Sequence, residues 1–277
     1  MPRVRELEVF RLALPYGRRP ESILVRLTDH GGMTGWGEVV QVPARRPAKE
    51  ESAEEKFAKT WTALEESLAP ALLGHDWEHP DDLGPIPGGA AADMACWDLW
   101  CRLNGVPLAH ALGGTRTSLI ATVRLTAEPT AEGMVTRVNR YVCAGYAHVT
   151  LDIHPGWDVE PIRAVRQAYP GLVIAVDGRG AYTEVAQLVA LDAYGVAAIE
   201  RPFATIDAHA ALQERVSALV AVEAHSVAEV EGAIDARAGH ALLLRPSRFG
   251  SLREARRAHD RAVEAGWDIT CGGGRGT

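Results

Sequence analysis

Three acidic residues stand directly after three successive apolar runs in the second half of the chain. They are Asp177, Glu200 and Glu223, and each follows a run of the Val-Ile type. One acid at the end of a strand usually caps the next helix. Three such acids in register would repel one another unless a cation lay between them, and carboxylate oxygens favour Mg²⁺ or Mn²⁺ over zinc. The spacing therefore predicts a metal site formed by these three residues.

The same apolar runs predict the elements that must position the acids. Polar residues end five of the runs, at Asp152, Asp177, Glu200, Glu223 and Arg245, with separations of 25, 23, 23 and 22 residues. A period of this length, with helical spacing after each run, is typical of βα units in a parallel barrel or a doubly wound sheet. In both folds the carboxyl ends of the strands form the active face.

Seven strands are predicted from residue 119 onward, one fewer than a closed barrel needs. The predicted strands are Ile120–Leu125, His148–Ile153, Leu172–Val176, Ala197–Ile199, Ala218–Val222, His240–Leu244 and Trp267–Cys271. The sequence ends in a glycine-rich stretch, residues 272–277, where an eighth unit would begin. We therefore expect a barrel that is open or is closed by another element or subunit.

The first forty residues alternate between apolar and polar side chains in the manner of three antiparallel strands. Asp29 to Gly32 lie between the second and third runs, where the glycines permit a tight turn. Helical spacing follows at about residues 51–69 and at 90–100. These patterns predict a small α+β domain over residues 1–115 and the barrel domain over 116–277.

Amino-acid composition limits the classes of binding partner. The 277 residues carry 29 Lys plus Arg against 36 Asp plus Glu, a net charge of −7, which argues against nucleic acid or an anionic membrane as a partner. The four cysteines lack the paired spacing of a zinc site, and no signal peptide or long apolar run is evident, so we expect reduced thiols and a cytoplasmic protein. Small metabolites remain as ligands.

Several short sequence motifs, distributed over the whole chain, resemble those of one known family. They are Trp97-Asp98, Pro155-Gly156-Trp157-Asp158, the phrases around Asp177 and Glu200, and Arg245-Pro246. In their order and spacing they resemble the enolase superfamily, and within it the muconate-lactonizing subgroup, near o-succinylbenzoate synthases and N-acylamino acid racemases. The resemblance implies an α+β capping domain with a modified TIM barrel, here truncated to (β/α)7. It also implies that Asp177, Glu200 and Glu223 hold one divalent ion, which binds a small carboxylate substrate while a base removes its α-proton.

The lysines that serve as bases in that subgroup are absent. Their positions hold Thr150, Asp152 and Arg245, and no lysine follows residue 59. Arginine stays protonated, so Arg245 can bind an anion but cannot accept a proton. Asp152 is a candidate base, and an ion pair between Asp152 and Arg245 is the structural alternative. We predict that the chain lacks o-succinylbenzoate synthase and amino-acid racemase activity.

Three further residues complete the predicted site. Arg179, two residues after Asp177, and Thr150 are candidate substrate-binding residues. His225, two residues after Glu223, is the alternative acid or base because histidine titrates near neutral pH, although a histidine in an exposed loop is the plainer interpretation. The segment at residues 14–21 is shorter than the loop that closes over the substrate in the family.

Three functions remain open on the sequence. The first is a divergent lyase or isomerase that acts on a small carboxylate through a divalent metal and without lysine bases. The second is a metal-independent cyclase or lyase in which Arg245 and Arg179 hold the anion. The third is a non-catalytic binding or assembly relative. Since an open barrel has two unpaired edges, we also expect a homo-oligomer, most simply a dimer.

Overall fold

The computed structural model describes residues 2–13, 21–41, 53–84, 86 and 89–272. The chain divides into two compact units. The first unit is residues 1–115 with 245–257 and 271–277, and the second unit is residues 116–244 with 258–270. Most of the predicted short loop at 14–21, and all but the first residue of the glycine-rich end at 272–277, lie outside the described residues.

A three-stranded antiparallel meander forms the sheet of the first unit, as the alternation predicts. Its strands, in order across the sheet, are β1 (Val4–Ala13), β2 (Glu21–Asp29) and β3 (Thr34–Gln41). The turn between β2 and β3 is closed by Asp29, which accepts the Gly32 N–H through its carbonyl at 3.1 Å and the Met33 N–H through its side chain at 2.7 Å. Gly32 has a φ of 86°, which glycine adopts without strain.

Helices complete the first unit. They are α1 (Ala53–Ala63), which continues through a π-helical turn at Leu64–Leu68 into α2 (Ala69–Leu72), then α3 (Ala90–Asn104) and α4 (Leu108–Ala111), with a 3₁₀ turn at Pro80–Leu83. Helix α3 lies close to β3 because two strand residues have no side chain. A Cβ at Gly37 would lie 1.8 Å from the Ala91 carbonyl oxygen, and one at Gly35 would lie 2.4 Å from that of Ala95.

Seven strands form the sheet of the second unit, in the order of the chain from one edge to the other. They are β4 (Thr122–Leu125), β5 (His148–Asp152), β6 (Val173–Asp177), β7 (Ala198–Glu200), β8 (Leu219–Glu223), β9 (Ala241–Leu244) and β10 (Asp268–Cys271). Each pair from β4 to β9 is parallel. This order confirms the predicted seven-stranded parallel arrangement.

Helices follow the strands of this sheet, as the spacing predicts. They are α5 (Ala131–Cys143), α6 (Val159–Ala168), α7 (Ala186–Val189), α8 (Asp207–Gln213), α9 (Val227–Asp235) and α10 (Leu252–Glu264), with 3₁₀ turns at Ala190–Tyr194 and Pro246–Arg248. Apart from the acids at their ends, strands β6 to β9 are apolar on both faces, and residues such as Ile174, Val176 and Val220 are fully buried. Such continuous apolar runs are typical of parallel strands that are covered on both sides.

Strand register aligns the predicted acids. Asp152 on β5 lies opposite Asp177 on β6, which in turn lies opposite Glu200 on β7. Glu200 pairs with Ala221 on β8, so Glu223 lies two residues farther along that strand. Because side chains alternate between the two faces with a period of two, Glu223 is on the same face as Glu200 but one level nearer the loops.

Strands β4 and β10 are the two edges of the sheet, and two large apolar side chains near β4 reach the surface. Leu119 is 81% exposed and Ile120 is 73% exposed. The homo-oligomer expected from these open edges stays a prediction. Among the described residues, no helix has both the length and the apolar character that crossing a membrane would need.

A buried carboxylate joins two segments of the first unit that are far apart in sequence. Asp93 on α3 is buried, and its Oδ2 accepts the N–H of Leu252, the first residue of α10, at 2.7 Å. Burial raises the pKa of Asp93 from its ordinary 3.8 to about 6, while the bond from Leu252 lowers it and the nearby Asp81 raises it. Keeping this carboxylate charged therefore opposes folding at neutral pH.

We expect Asp93→Asn to change how stability depends on pH. The folded carboxyl keeps its proton up to about pH 6, whereas the unfolded one loses it near 3.8, so the folded state loses stability as the pH rises through this interval. The difference between these two pKa values corresponds to roughly 3 kcal/mol of the free energy of unfolding. The neutral amide avoids this cost. The melting temperature of the variant, relative to that of the wild type, should therefore increase from pH 4 to pH 7.5.

Asp98→Asn is the matched control, because Asp98 lies on the same helix but is only partly buried and contacts Arg102 and the Trp36 N–H. Calorimetric melting at both pH values compares the three proteins. A difference between Asp93→Asn and the wild type that is the same at pH 4 and pH 7.5 would contradict the raised pKa.

Candidate active site

Arg124 on β4 links the acids at the strand ends. Its guanidinium contacts the carboxylates of Asp177 and Glu200, and its Nη1 lies 3.6 Å from Asp152 Oδ1. Asp177 and Glu200 are almost fully buried, whereas the Arg124 side chain is 30% exposed. One arginine thus faces three carboxylates from three neighbouring strands.

Arg201, the residue after Glu200, makes a second link. Its Nε donates to Asp177 Oδ1 at 3.2 Å, its Nη2 contacts Asp177 Oδ2, and its Nη1 donates to Glu223 Oε2 at 3.0 Å. Asp177 is therefore held in the two-pronged geometry that suits arginine and a carboxylate. Through Arg201 the more distant Glu223 joins the same network.

Arg179 makes the third link, from the loop after β6. Its backbone N–H donates to Asp177 Oδ1 at 2.9 Å, and its Nη2 contacts Asp152 Oδ2. Arg179 and Arg201 both have left-handed backbone, with φ of 50° and 45°. Such a conformation is costly for residues other than glycine and is found mostly where surrounding contacts compensate.

Backbone hydrogen bonds explain why these two loops lie together. Gly178 donates to the Glu200 carbonyl at 2.9 Å, and Gly180 donates to the Arg201 carbonyl at 2.8 Å, so the parallel pairing of β6 and β7 continues past the strand ends. A Cβ at Gly178 would lie 3.1 Å from Pro202 Cα. The small residue allows the close approach that brings Arg179 and Arg201 to the same carboxylate.

The network is closely balanced in charge. Three guanidinium groups face the four carboxylates of Asp152, Asp177, Glu200 and Glu223, which leaves one formal negative charge. Thr150 also contributes, with its hydroxyl 3.5 Å from Glu200 Oε1. The structure thus brings together six of the eight predicted site residues.

The other two predicted residues are placed differently. His225 is exposed, and its backbone N–H donates to Glu229 Oε2 at 2.9 Å just before helix α9. Arg245 belongs to the first unit. The predicted ion pair between Asp152 and Arg245 stays a prediction, although Asp152 has arginine partners within its own unit.

The sequence analysis missed the roles of Arg124 and Arg201. Arg124 is the one charged residue in the strand Thr122–Leu125, and this position is itself a signal. An arginine between apolar residues of a short strand, where its side chain is largely removed from water, needs an acidic partner. Arg201 directly follows Glu200, but the spacing of the sequence does not show whether its side chain points toward the acids.

A cavity of about 310 Å³ adjoins this network within the second unit. Arg179, Arg201 and Glu223 form its charged wall, and Phe203, Ile206 and Val222 contribute apolar surface. A concave site with a few convergent polar groups is the usual place for a small ligand.

Similarity to known proteins agrees with the resemblance seen in the sequence. Residues 133–277 match the family model described as enolase C-terminal domain-like. An o-succinylbenzoate synthase of Geobacillus kaustophilus is 35% identical over 269 residues, which cover 91% of this chain and 70% of that protein. An N-succinylamino acid racemase of Thermus thermophilus is 33% identical, covering 98% of this chain and 76% of the relative.

The chain belongs to the enolase superfamily.

Solved structures of that superfamily share its fold. A protein of Enterococcus faecalis, described as an unknown member of the enolase superfamily, superposes with a TM-score of 0.83 at 27% identity, covering 98% of this chain and 79% of that one. A superfamily member from Roseovarius nubinhibens, solved in complex with magnesium, has a TM-score of 0.77 at 26% identity, covering 97% and 78%. The predicted fold class, an α+β capping domain with an enolase-like (β/α) barrel, is confirmed, with seven strands in the sheet of the described residues.

The magnesium bound by that relative can be compared with the donors in this chain. Each of the three predicted ligands, Asp177, Glu200 and Glu223, already contacts a guanidinium group, and Asp177 does so through both oxygens. A divalent ion about 2 Å from these oxygens would lie beside cations that cannot lose their charge. Within the described residues no acidic, histidine or cysteine cluster is arranged to hold a metal. As arranged, these residues do not fit Mg²⁺ or Mn²⁺.

We expect Arg124→Met to destabilise the second unit. Removing this guanidinium leaves the buried Asp177 and Glu200 without a shared partner, and breaking a buried ion pair on one side typically costs 3–5 kcal/mol. Because Arg124 is partly exposed, we expect the lower end, about 3 kcal/mol, in urea unfolding.

Arg140→Met, on the exposed face of α5, is the control and should change the free energy of unfolding by less than about 0.5 kcal/mol. Equal stability of Arg124→Met and the control would show that the network contributes nothing.

Proposed function

We propose that this chain is a divergent lyase or isomerase of the enolase superfamily that acts on a small carboxylate and uses arginines where its relatives would use a metal ion. The observation that carries the proposal is the pairing of Asp177, Glu200 and Glu223 with Arg124 and Arg201. These pairs relieve the repulsion among the acids that would otherwise call for a cation.

Arg179 is the residue best placed to bind the substrate carboxylate. A guanidinium has five N–H donors, and one side-chain contact of Arg179, to Asp152, is described. Its side chain is 37% exposed, and it lines the cavity beside the network. It can therefore offer two parallel donors to a carboxylate while it keeps its bond to Asp152.

The names of the relatives support this substrate class. O-succinylbenzoate synthase and N-succinylamino acid racemase are both named after succinyl compounds, which carry carboxylates. A small anionic metabolite is therefore the proposed partner, and the homodimer expected from the open sheet edges belongs to the same proposal.

Asp152 is the proposed proton acceptor. Its Oδ2 contacts Arg179, and its buried Oδ1 lies 3.6 Å from Arg124 Nη1 and accepts no hydrogen bond from the described residues. A carboxylate held by Arg179 would lie next to Asp152, so this acid would be close to the substrate's α-carbon. His225 is the weaker candidate because it is exposed and no described contact directs its ring toward the network.

A single acceptor limits the reactions that are possible. Racemisation needs a proton acceptor on one face of the substrate and a donor on the other, and Arg245, at a position where the resemblance implies a lysine, stays protonated and cannot accept a proton. We therefore propose elimination or one-base isomerisation, and we expect the wild type to convert an N-succinyl-L-amino acid into its D-enantiomer more slowly than about 1 s⁻¹. Faster racemisation, followed by chiral chromatography, would contradict the assignment.

Binding in the presence and absence of metal tests the proposal. In calorimetric titrations with N-succinylphenylalanine, we expect equal affinity in excess EDTA and in excess Mg²⁺, since arginines hold the anion. Arg179→Met should weaken binding at least tenfold, equivalent to about 1.4 kcal/mol. Arg163→Met, an exposed arginine on α6, should leave it unchanged.

Each outcome distinguishes one of the alternatives. Binding that requires Mg²⁺ would favour the metal-dependent lyase or isomerase instead. Binding without turnover of any carboxylate tested would favour the non-catalytic relative. Absence of binding under both conditions would overturn the carboxylate assignment itself.

A further inference from the structure

The 310 Å³ cavity contains a histidine that the proposed reaction does not use. His209 on α8 is 3% exposed, lines the cavity, and packs edge-on against Phe203 with ring centroids 5.5 Å apart. We refer to this space as the His209 cavity; its lining comes entirely from the second unit. A buried histidine beside two arginines needs an explanation that packing alone does not supply.

The protonation state of His209 follows from its one described hydrogen bond. Its Nδ1 lies 2.9 Å from the carbonyl oxygen of Thr205. A carbonyl oxygen can only accept, so Nδ1 carries the hydrogen. Burial lowers the pKa of His209, and the bond to Thr205 opposes this shift only in part, so the ring is neutral near pH 7. Its Nε2 therefore presents a lone pair.

This lone pair is available to a ligand. Within the described residues no protein group donates to Nε2, and Nε2 is not among the fully buried polar atoms that lack a partner. His209 lines the His209 cavity, so this cavity is the space from which a ligand can approach the ring. A hydrogen-bond donor that entered the cavity would meet a fixed acceptor.

The arginines provide hydrogen-bond donors on another part of the cavity wall. Arg179 and Arg201 line the cavity, and their described side-chain contacts use one donor of Arg179 and three of Arg201. The remaining N–H groups can bind an anion. Glu223, the one acidic residue among the described residues of the lining, is paired with Arg201 at 3.0 Å. The other acidic partners of these arginines, Asp152 and Asp177, do not line the cavity, so its charged wall has two guanidinium groups and one carboxylate.

We infer that the His209 cavity binds a small hydroxy-monocarboxylate, with the carboxylate on Arg179 and Arg201 and the hydroxyl donating to His209 Nε2. The ligand's one carboxylate would meet the two guanidinium groups that line the cavity. Phe203, Ile206 and Val222 would pack against the short carbon chain, and the volume lies at the lower end of ligand pockets. The inference rests on the proposed function because both use Arg179.

A matched pair of ligands tests the role of His209. We expect 3-hydroxybutyrate to bind about tenfold more tightly than butyrate, because butyrate leaves the buried acceptor without a donor. His209→Asn keeps a donor near the Nδ1 position for Thr205 but removes the Nε2 acceptor. In this variant the two ligands should bind with equal affinity, while butyrate affinity and melting temperature stay close to those of the wild type.

A second readout uses the wild-type protein and so does not depend on the folding of a variant. In ¹⁵N NMR, 3-hydroxybutyrate should shift the Nε2 resonance of His209, and butyrate should not. Equal affinity of the two ligands for the wild type, an unmoved Nε2 resonance, or selectivity that persists in His209→Asn would each overturn the inference.

The two proposals fail in distinguishable ways. If N-succinylphenylalanine binds through Arg179 but 3-hydroxybutyrate shows no preference over butyrate, only the His209 inference is wrong. If Arg179→Met changes the binding of neither N-succinylphenylalanine nor butyrate, the arginine-based function is wrong as well.

Discussion

The carboxylate of Asp177 has no contact with solvent, and it must be stabilised where it lies. It receives the Arg179 N–H, two donors of Arg201 and a contact from Arg124, so three separate strand ends converge on one acid. A buried charge of this kind is tolerated only when it is paired and hydrogen-bonded. The arrangement of the loops after β6 and β7, the place of Arg124 within β4 and the outline of the adjoining cavity all follow from that requirement.

Much of the second unit could be predicted because its central strands, β6 to β9, are apolar on both faces up to the acids at their ends, and its helices have one apolar side. The strand Val173–Asp177 agrees with the predicted Leu172–Val176 to within one residue, and helices follow the strands as the spacing predicts. The level of the acids along the sheet was also predictable, since parallel strands of similar length end at one edge. The position of Glu223, two residues beyond the level of Glu200, was not predictable. It depends on the register between β7 and β8, in which Glu200 pairs with Ala221.

The arginine partners show where sequence reasoning ends. Arg124 and Glu200 are 76 residues apart, and their contact depends on how far apart β4 and β7 lie in the folded sheet. The argument for a metal was that three converging carboxylates need a positive charge. That physical requirement holds in the structure, but guanidinium groups from the chain itself meet it. Composition offered one hint, since the second unit has no lysine and its basic residues are all arginines.

The left-handed backbone at Arg179 and Arg201 has a consequence for how the site responds to a change in charge. A residue in this conformation has few alternative backbone states, and each guanidinium is further held by its carboxylate. Dipoles and charges that are already oriented need little rearrangement when a bound anion shifts its charge. We therefore expect the guanidinium groups of Arg179 and Arg201 to need little reorganisation, a property that here would come from the rigidity of the chain itself.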